Sequence, residues 1–270
     1  MNHLSRWGSA ALAGAALLVA APFASAPAFA GVPDPLPGRT HFYVPKAPDG
    51  SKQQIAHLWK SGHKKDAALV AAEVTTPQAV WFTDGTPKQV GHQVHAVAHK
   101  AAAKHAVPTM VVYNVPGRDC SQYSSGGAGS DTAYRAWVDG FAHGLVKGQK
   151  VIVVVEPDGL ANLPSDCPSA YPGQNVGSFP DPAPGTLTAG RIADIAYAGT
   201  AIKKADHEAL VYLDAGHSGW HSVGDAAARL AAANVQHVQG FSLNVSNYQW
   251  TSNLSEYGTW VSSCLALQVI

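Results

Sequence analysis

Two aspartates of this sequence stand where a pair of carboxyl groups could do chemistry. Asp119 follows the segment 109–114, and Asp158 follows the apolar run 151–155. A carboxyl group at the end of a buried strand, with a second carboxyl nearby, has a raised pKa and can stay protonated near neutral pH. Such a group could act as a general acid that donates a proton to a leaving group. Taken alone, both aspartates could instead cap helices, which is common for Asp after a strand.

Further polar and aromatic side chains lie at the ends of other apolar runs. They are Tyr113, Arg118, His217, Trp220 and Asn244. Functional residues of parallel α/β proteins sit just past the carboxyl ends of the strands, so this recurrence predicts one shared site. Taken singly, Trp81 and Tyr113 could be core aromatics, and His217 could be a buried, hydrogen-bonded histidine.

Two other patterns suggest different chemistry. The segment Gly-His-Ser-Gly at 216–219 resembles the start of an esterase nucleophile elbow, but that motif requires Gly where Trp220 stands. His92, His95 and His99 have helical spacing and could suggest a metal site. Their segment is rich in Ala, Val and Lys and lacks Cys or carboxylate partners. We therefore expect a solvated helix face there, and neither a metal nor a cofactor.

Short β-like runs alternate with longer helical stretches from residue 41 onward. The predicted strands cover 41–44, 80–82, 109–114, 151–156, 210–214 and 240–244, and helical stretches lie near 50–61, 86–105, 131–147, 187–204, 221–233 and 252–261. The run 151–155 is continuously apolar and β-branched, as expected of a strand buried on both faces. The alternation predicts an α/β fold with a parallel sheet, either a closed barrel or an open doubly wound sheet.

The first thirty residues predict an export signal and no part of the fold. Arg6 precedes an apolar run over 10–21, and Ala-Pro-Ala-Phe-Ala at 26–30 ends in the small-x-small pattern of a signal peptidase site. We therefore expect a signal peptide over 1–30, a short Pro- and Gly-rich leader over 31–40, and a secreted protein.

Composition limits the class of ligand. The sequence has 18 Lys plus Arg and 18 Asp plus Glu, so its charge favours neither nucleic acid nor an anionic membrane as a partner. Seven Trp and nine Tyr with few charges suit a neutral, hydroxyl-rich ligand such as a sugar, although most such aromatics serve the core. There are three cysteines, and in an exported protein Cys120 and Cys167 can form a disulfide.

Four long motifs carry a resemblance to a known family. They are Tyr-Asn-Val-Pro-Gly-Arg-Asp-Cys at 113–120, Val-Glu-Pro-Asp at 155–158, Leu-Asp-Ala-Gly-His-Ser-Gly-Trp at 213–220 and Asn-Val-Ser-Asn-Tyr at 244–248. In this order and spacing, the chain resembles glycoside hydrolase family 6 from residue 41 to about 263. The resemblance implies an inverting cellulase, either an endoglucanase or a cellobiohydrolase, on a distorted seven-stranded TIM-like (β/α) barrel. It also implies cellulose or another β-1,4-glucan as the partner, and we expect a monomer.

The resemblance implies roles for individual residues. Asp158 matches the general acid, and Asp119 matches a second carboxylate that tunes Asp158 and assists the water. Arg118 is expected to pair with one of these acids, and Ser125, in the loop 121–128, to hold the catalytic water. The residues that match the substrate-binding cleft are Trp81, Tyr113, Arg118, His217, Trp220 and Asn244.

One part of the family pattern is missing. The family supplies its candidate catalytic base in a late Val-Asp-Thr-Ser-Arg-Asn-Gly-type segment, followed by Trp-Cys-Asn-Pro-Pro-Gly, and neither occurs in this sequence. We therefore expect residues 41–270 to be a partial catalytic domain, truncated at the C-terminus, with an incomplete barrel and little activity. The alternative is a non-catalytic glucan-binding remnant that keeps Trp81, Tyr113 and Trp220.

Overall fold

A computed structural model describes residues 36–268, which form five β-strands and seven α-helices. The strands are β1 (Val80–Phe82), β2 (Thr109–Val112), β3 (Val151–Val155), β4 (Ala209–Asp214) and β5 (Gly240–Ser242). The helices are α1 (Ser51–Lys60), α2 (Lys64–Glu73), α3 (Pro87–Ala102), α4 (Asp131–Gly144), α5 (Leu187–Ala205), α6 (Val223–Ala232) and α7 (Thr251–Gln268).

The strands form one parallel sheet in which each strand pairs with the next one along the chain. The order is β1-β2-β3-β4-β5, and every pairing is parallel. The predicted α/β fold with a parallel sheet is therefore confirmed. Within residues 36–268 the sheet is open, with β1 and β5 at its edges, so these strands do not close a barrel.

The two faces of the sheet carry different amounts of apolar packing. Met110 and Val112 of β2 belong to a large buried cluster that includes Trp137 and Phe141 of α4. Val111, between them, lies in a small cluster with Tyr113 and Val154. Successive side chains of a strand point to opposite faces. The large cluster, which includes helix residues, therefore lies on one face of the sheet. The small cluster of Val111, Tyr113 and Val154 lies on the other face, next to the polar strand ends.

N-terminal caps and a close contact between two helices hold the helices around the sheet in place. The side chains of Thr86, Ser130, Thr186 and Ser222 accept a hydrogen bond from the first turn of α3, α4, α5 and α6, respectively. Such N-caps satisfy amides that have no partner within the helix. Helices α3 and α4 also approach closely, because a Cβ atom at Gly140 would lie 2.2 Å from the Pro87 carbonyl oxygen.

Three expectations differ from the structure. The strand predicted over 41–44 is reduced to one bridge between Phe42 and Val107. Helix α2 was not expected. The strand predicted over 109–114 ends at Val112, because the Asn114 nitrogen donates to the Glu156 carboxylate and does not continue the ladder.

The expected signal peptide over 1–30 lies outside the described residues, as does the first half of the expected leader, 31–35. Its described part, 36–40, contains neither helix nor strand. Among the helices within 36–268, none combines the length and the apolar character needed to span a bilayer.

Candidate active site

Polar side chains from four strands meet at one edge of the sheet. Tyr113 directly follows β2, Asp158 follows β3, Asp214 ends β4, and Ser246 follows β5. Because these strands are parallel neighbours, their carboxyl ends lie at the same edge. This edge is where open and closed parallel α/β folds place their sites.

Asp158 is held at this edge by its own backbone. The residue is 9% exposed, and its φ of 65° lies in the left-handed region, which Asp adopts more readily than most residues. Its nitrogen donates to Asp214 Oδ1 at 2.9 Å, and its carbonyl oxygen accepts from the Asn162 nitrogen at 2.7 Å. Burial raises the pKa of Asp158, the Asp119 charge raises it further, and a hydrogen bond from Ser246 and the His217 charge oppose this.

Ser246 is the side chain that contacts the Asp158 carboxyl group directly. Its Oγ lies 2.7 Å from Asp158 Oδ1 and 2.9 Å from Oδ2. The amide of Asn247 in turn donates to Ser246 Oγ at 3.3 Å. No local spacing pattern predicts the role of Ser246, because this contact depends on β5 lying beside β4.

Asp119 lies on a tightly wound segment that a disulfide attaches to the loop after β3. Asp119, Cys120 and Ser121 have φ values of 56°, 47° and 61°. Asp119 Oδ2 accepts a hydrogen bond from the Ser124 nitrogen at 2.6 Å. Cys120 and Cys167, the two cysteines expected to pair, form a disulfide with Cα atoms 6.0 Å apart. The bridge restricts movement between the segment of Asp119 and the loop that begins at Asp158.

Arg118 organises the backbone around Tyr113. Its Nε donates to the Ser124 carbonyl oxygen at 2.9 Å, and its Nη1 donates to the carbonyl oxygens of Thr83 and Tyr113. The guanidinium carbon also lies 4.7 Å from the centroid of the Tyr113 ring. All of these hydrogen bonds end on backbone carbonyls, so the expected ion pair between Arg118 and an acid is absent from the described residues.

Tyr113 and Trp81 form an aromatic corner beside the acids. Their ring centroids are 5.6 Å apart at an interplanar angle of 88°, an edge-to-face contact. Burial, and then the charges of Asp119 and Asp158, raise the pKa of Tyr113 to about 12. The phenol is therefore neutral and lies within electrostatic reach of both carboxyls. Trp81 keeps 41% of its surface exposed, which leaves room for a ligand to stack on it.

His217 and Trp220 form a second aromatic pair near Asp158. Their ring centroids are 4.2 Å apart, and a Cβ atom at Gly216 would lie 2.5 Å from Trp220 Cε3. The Gly219 nitrogen donates to His217 Nδ1 at 3.1 Å. Burial lowers the pKa of His217 and the Asp158 charge opposes this. The ring thus packs against Trp220 and lies within electrostatic reach of Asp158.

Two other expected site residues, Asn244 and Ser125, make no hydrogen bond to either acid in the described part of the chain. The side chain of Asn244 donates to the Gln249 carbonyl oxygen at 3.2 Å and accepts from the Gln249 nitrogen at 2.7 Å. Asn244 therefore closes its own loop, 244–249. Ser125 is exposed, and no hydrogen bond in the described part of the chain joins its hydroxyl to Asp119 or Asp158. Its expected role in holding the catalytic water stays a prediction.

Two buried carboxylates were not selected from the sequence. Glu156 accepts hydrogen bonds from the Asn114 and Val115 nitrogens at 3.0 Å and 3.1 Å. Asp214 accepts from the Gly216 nitrogen at 2.9 Å, in addition to the Asp158 nitrogen. Burial raises the pKa of each carboxyl to about 7. Each lies at the end of an apolar strand, which is the same sequence feature that identified Asp158 as a candidate.

Within 36–268, no three His, Cys, Asp or Glu side chains are arranged to hold a metal ion. His92, His95 and His99 are exposed on α3, with the rings of His95 and His99 at 6.1 Å. The site described above is built from carboxyl, hydroxyl, imidazole and aromatic groups.

Comparison with known proteins places this geometry in context. The sequence model described as "Glycosyl hydrolases family 6" matches residues 37–268. Endoglucanase A of Thermobispora bispora is 34% identical over 217 residues, which cover 79% of this chain and 44% of that protein. Endoglucanase A of Cellulomonas fimi is 35% identical over 236 residues, which cover 86% of this chain and 45% of that protein. The chain thus spans about half the length of these curated relatives.

Solved structures show the same similarity. The endoglucanase Cel6 from Mycobacterium tuberculosis, solved with a thio-linked methyl cellobiosyl-cellobioside, is 31% identical, with a TM-score of 0.69 over 84% of this chain and 70% of that chain. The endoglucanase CEL6B from Humicola insolens is 21% identical, with a TM-score of 0.66 over 86% of this chain and 72% of that chain. At that identity the second similarity concerns the fold alone.

Proposed function

Because this chain belongs to glycosyl hydrolase family 6, we propose that it is a secreted cellulase that cleaves β-1,4-glucosidic bonds with Asp158 as the general acid. The observation that carries the proposal is the environment of Asp158. Its carboxyl group is buried at the carboxyl edge of a parallel sheet, and burial and the Asp119 charge both raise its pKa. A raised pKa keeps the proton on the acid until a leaving group accepts it.

The proposed reaction inverts the configuration of the sugar carbon. Asp158 gives its proton to the glycosidic oxygen as the bond from that oxygen to the anomeric carbon breaks, and water attacks the opposite face of the sugar. Asp119 favours the protonated form of Asp158 and assists the water, whose released proton passes through solvent and returns Asp158 to its acid form. The family's late segment with the catalytic base is absent from this sequence, so we propose that residues 31–270 alone turn over slowly.

The substrate in this proposal is a glucan chain that lies along the aromatic side chains. Trp81 offers an exposed ring surface supported edge-on by Tyr113, and Trp220 packs against His217. The apolar face of a glucose ring can stack on an indole, while its hydroxyl groups remain available for hydrogen bonds. In this proposal Trp81 and Trp220 hold the glucan chain, and His217, which packs against Trp220, lies within electrostatic reach of Asp158.

A second candidate function is glucan binding without turnover. The exposed surface of Trp81 favours it, because stacking on that ring requires no catalytic base. In this case cello-oligosaccharides bind to the chain, and substitution of Asp158 changes neither binding nor any product yield.

The test compares residues 31–270 with the Asp158→Asn variant on carboxymethylcellulose and on cellopentaose. Asp181→Asn, which changes an exposed aspartate of the loop after β3, is the matched control. We expect Asp158→Asn to abolish hydrolysis and to retain oligosaccharide binding, with Asp181→Asn like the wild type. NMR of the first product should show the α-anomer. Equal hydrolysis by the wild type and Asp158→Asn would refute the assignment, and binding without hydrolysis in all three proteins would support the second candidate.

A further inference from the structure

The hydroxyl group of Ser246 contacts both oxygens of the Asp158 carboxyl. The two distances are 2.7 Å and 2.9 Å, within the range of an O–H···O hydrogen bond. Within residues 36–268, no other side chain makes a hydrogen bond to these two oxygens. A serine hydroxyl can donate one hydrogen bond and accept others, so the direction of this contact decides what Ser246 does to the acid.

The loop 244–249 is built so that Ser246 points to Asp158. Asn244 fixes both ends through two hydrogen bonds to Gln249, and its nitrogen donates to the Gly216 carbonyl oxygen at 2.9 Å. Asn244 and Asn247 adopt φ values of 64° and 51°, and asparagine is among the residues that tolerate this region best. Left-handed backbone at non-glycine residues is enriched at functional sites.

Asn247 determines the direction of the contact. Its amide donates to Ser246 Oγ at 3.3 Å. A hydroxyl that accepts a hydrogen bond becomes a better donor, so the Ser246 proton is directed to the Asp158 carboxylate. The order of donation is Asn247 to Ser246 to Asp158.

We propose that Ser246, supported by Asn247, is a positioning residue for the catalytic acid: it fixes the rotamer of the Asp158 carboxyl and stabilises the carboxylate that remains after the proton has left. The inference rests on the function proposed above for Asp158. When the Asp158 proton passes to the glycosidic oxygen, the carboxylate keeps the hydrogen bond from Ser246. No additional group is consumed, because the Ser246 proton stays on its oxygen.

Other groups near Asp158 act through charge or through the backbone. Asp119 approaches from the segment after β2, Tyr113 from the end of β2, and His217 from the loop after β4. Asp214 of β4 holds the Asp158 nitrogen. None of these four side chains makes a hydrogen bond to the Asp158 carboxyl oxygens in the described structure. Ser246 therefore has a separate effect, which a substitution can isolate.

The experiment measures the pKa of Asp158 by carbon-13 NMR of the aspartate carboxyls, with Asp158→Asn identifying the resonance. This titration requires no turnover, so it tests Ser246 whether or not the chain hydrolyses cellulose. Ser246→Ala removes the donor to the carboxylate and should raise the Asp158 pKa by about one unit. Ser246→Thr keeps the hydroxyl and should restore the wild-type value. Ser252→Ala removes an exposed serine of α7 and should change nothing.

Two further variants test the role of Asn247 and replace Ser246→Ala if that variant does not fold. Asn247→Gly deletes the amide while allowing left-handed backbone, and should raise the Asp158 pKa by less than Ser246→Ala does. If Ser246→Ala does not fold, the nearly isosteric pair Ser246→Thr and Ser246→Val provides the same comparison. An unchanged or lowered Asp158 pKa in a folded variant without the hydroxyl overturns the proposal. In active protein, the decline of kcat at alkaline pH should move upward with the Asp158 pKa.

Discussion

The backbone nitrogen of Asp158 donates a hydrogen bond to the buried Asp214 carboxylate at 2.9 Å. The same carboxylate oxygen accepts from the Gly216 nitrogen at 2.9 Å. One carboxylate thus holds the turn that carries the proposed acid and the turn that leads to His217. Because both amides are buried with it, neither has water as an alternative partner.

Replacement of Asp214 should therefore cost stability. Asp214→Leu leaves the Asp158 and Gly216 amides without an acceptor, and we expect it to lower the free energy of unfolding by about 2–3 kcal/mol, measured by urea denaturation. Asp214→Asn keeps an acceptor oxygen and should cost less. Equal losses in the two variants would contradict this account of the turn.

Asp119 should set the pH at which the acid loses its proton. The Asp119 charge raises the pKa of Asp158, so Asp119→Asn should lower it. Because the reaction needs protonated Asp158, hydrolysis should then decline at a lower pH than in the wild type. High salt screens charges and should shift the wild-type profile in the same direction while leaving Asp119→Asn nearly unchanged. A profile that stays in place in Asp119→Asn would disprove the coupling.

Glu156 should make the protein less stable as the pH rises from acid to neutral. Burial raises the pKa of Glu156 from its ordinary 4.5 to about 7. Between these two values the folded protein binds more protons than the unfolded chain, so its stability is full below pH 4.5 and is lost as the pH rises through 7. Glu156→Gln should flatten this slope by up to about 1.4 kcal/mol per pH unit. Urea titrations between pH 4.5 and 8 measure it, and an unchanged slope would count against the shift.

Trp81 should contribute directly to glucan affinity. Trp81→Ala removes the exposed ring next to Tyr113 and should weaken binding of cello-oligosaccharides by about tenfold, as followed by calorimetry. Trp59→Ala is the control, since Trp59 is also exposed but contacts Lys64 of α2. Should both variants bind like the wild type, stacking on Trp81 would be excluded.

The disulfide should stabilise the protein by joining segments that are distant in sequence. Cys120 and Cys167 are separated by 47 residues, and closing a loop of that length is worth about 4 kcal/mol in the chain-entropy description. The double variant Cys120→Ser and Cys167→Ser should lose about this much free energy of unfolding. The wild type in reducing buffer should match it, whereas a loss near zero would mean that the reduced chain keeps the two segments together.

The parallel sheet could be predicted because its central strands are apolar and buried on both faces. The run 151–155 and the apolar segment in β4 are continuous, and both form strands at the expected positions. Helix α2 was missed because Lys64–Glu73 has little amphipathic pattern and is mostly exposed. The strand expected over 41–44 is reduced to one bridge, between Phe42 and Val107. A short apolar run does not show which residues it will pair with, or over what length.

The site was predictable only for side chains whose position follows from their own strand. Asp158 and Tyr113 lie at strand ends, where the pattern placed them. Ser246 could not be inferred, because its contact with Asp158 joins residues 88 apart in sequence. Asn244 forms hydrogen bonds within its own loop, and its expected contact with a substrate stays a prediction. A contact between two loops depends on which strands are neighbours in the sheet, and local sequence patterns do not reveal this.

The consecutive strand order has a consequence for how the chain folds. Each strand pairs with the strand that precedes it in the sequence, so the sheet can grow without waiting for segments far along the chain. Short-range pairing lowers the entropy lost in each closure. We expect β1 to β3 with their helices to associate first, after which β4 and β5 add to a preformed edge.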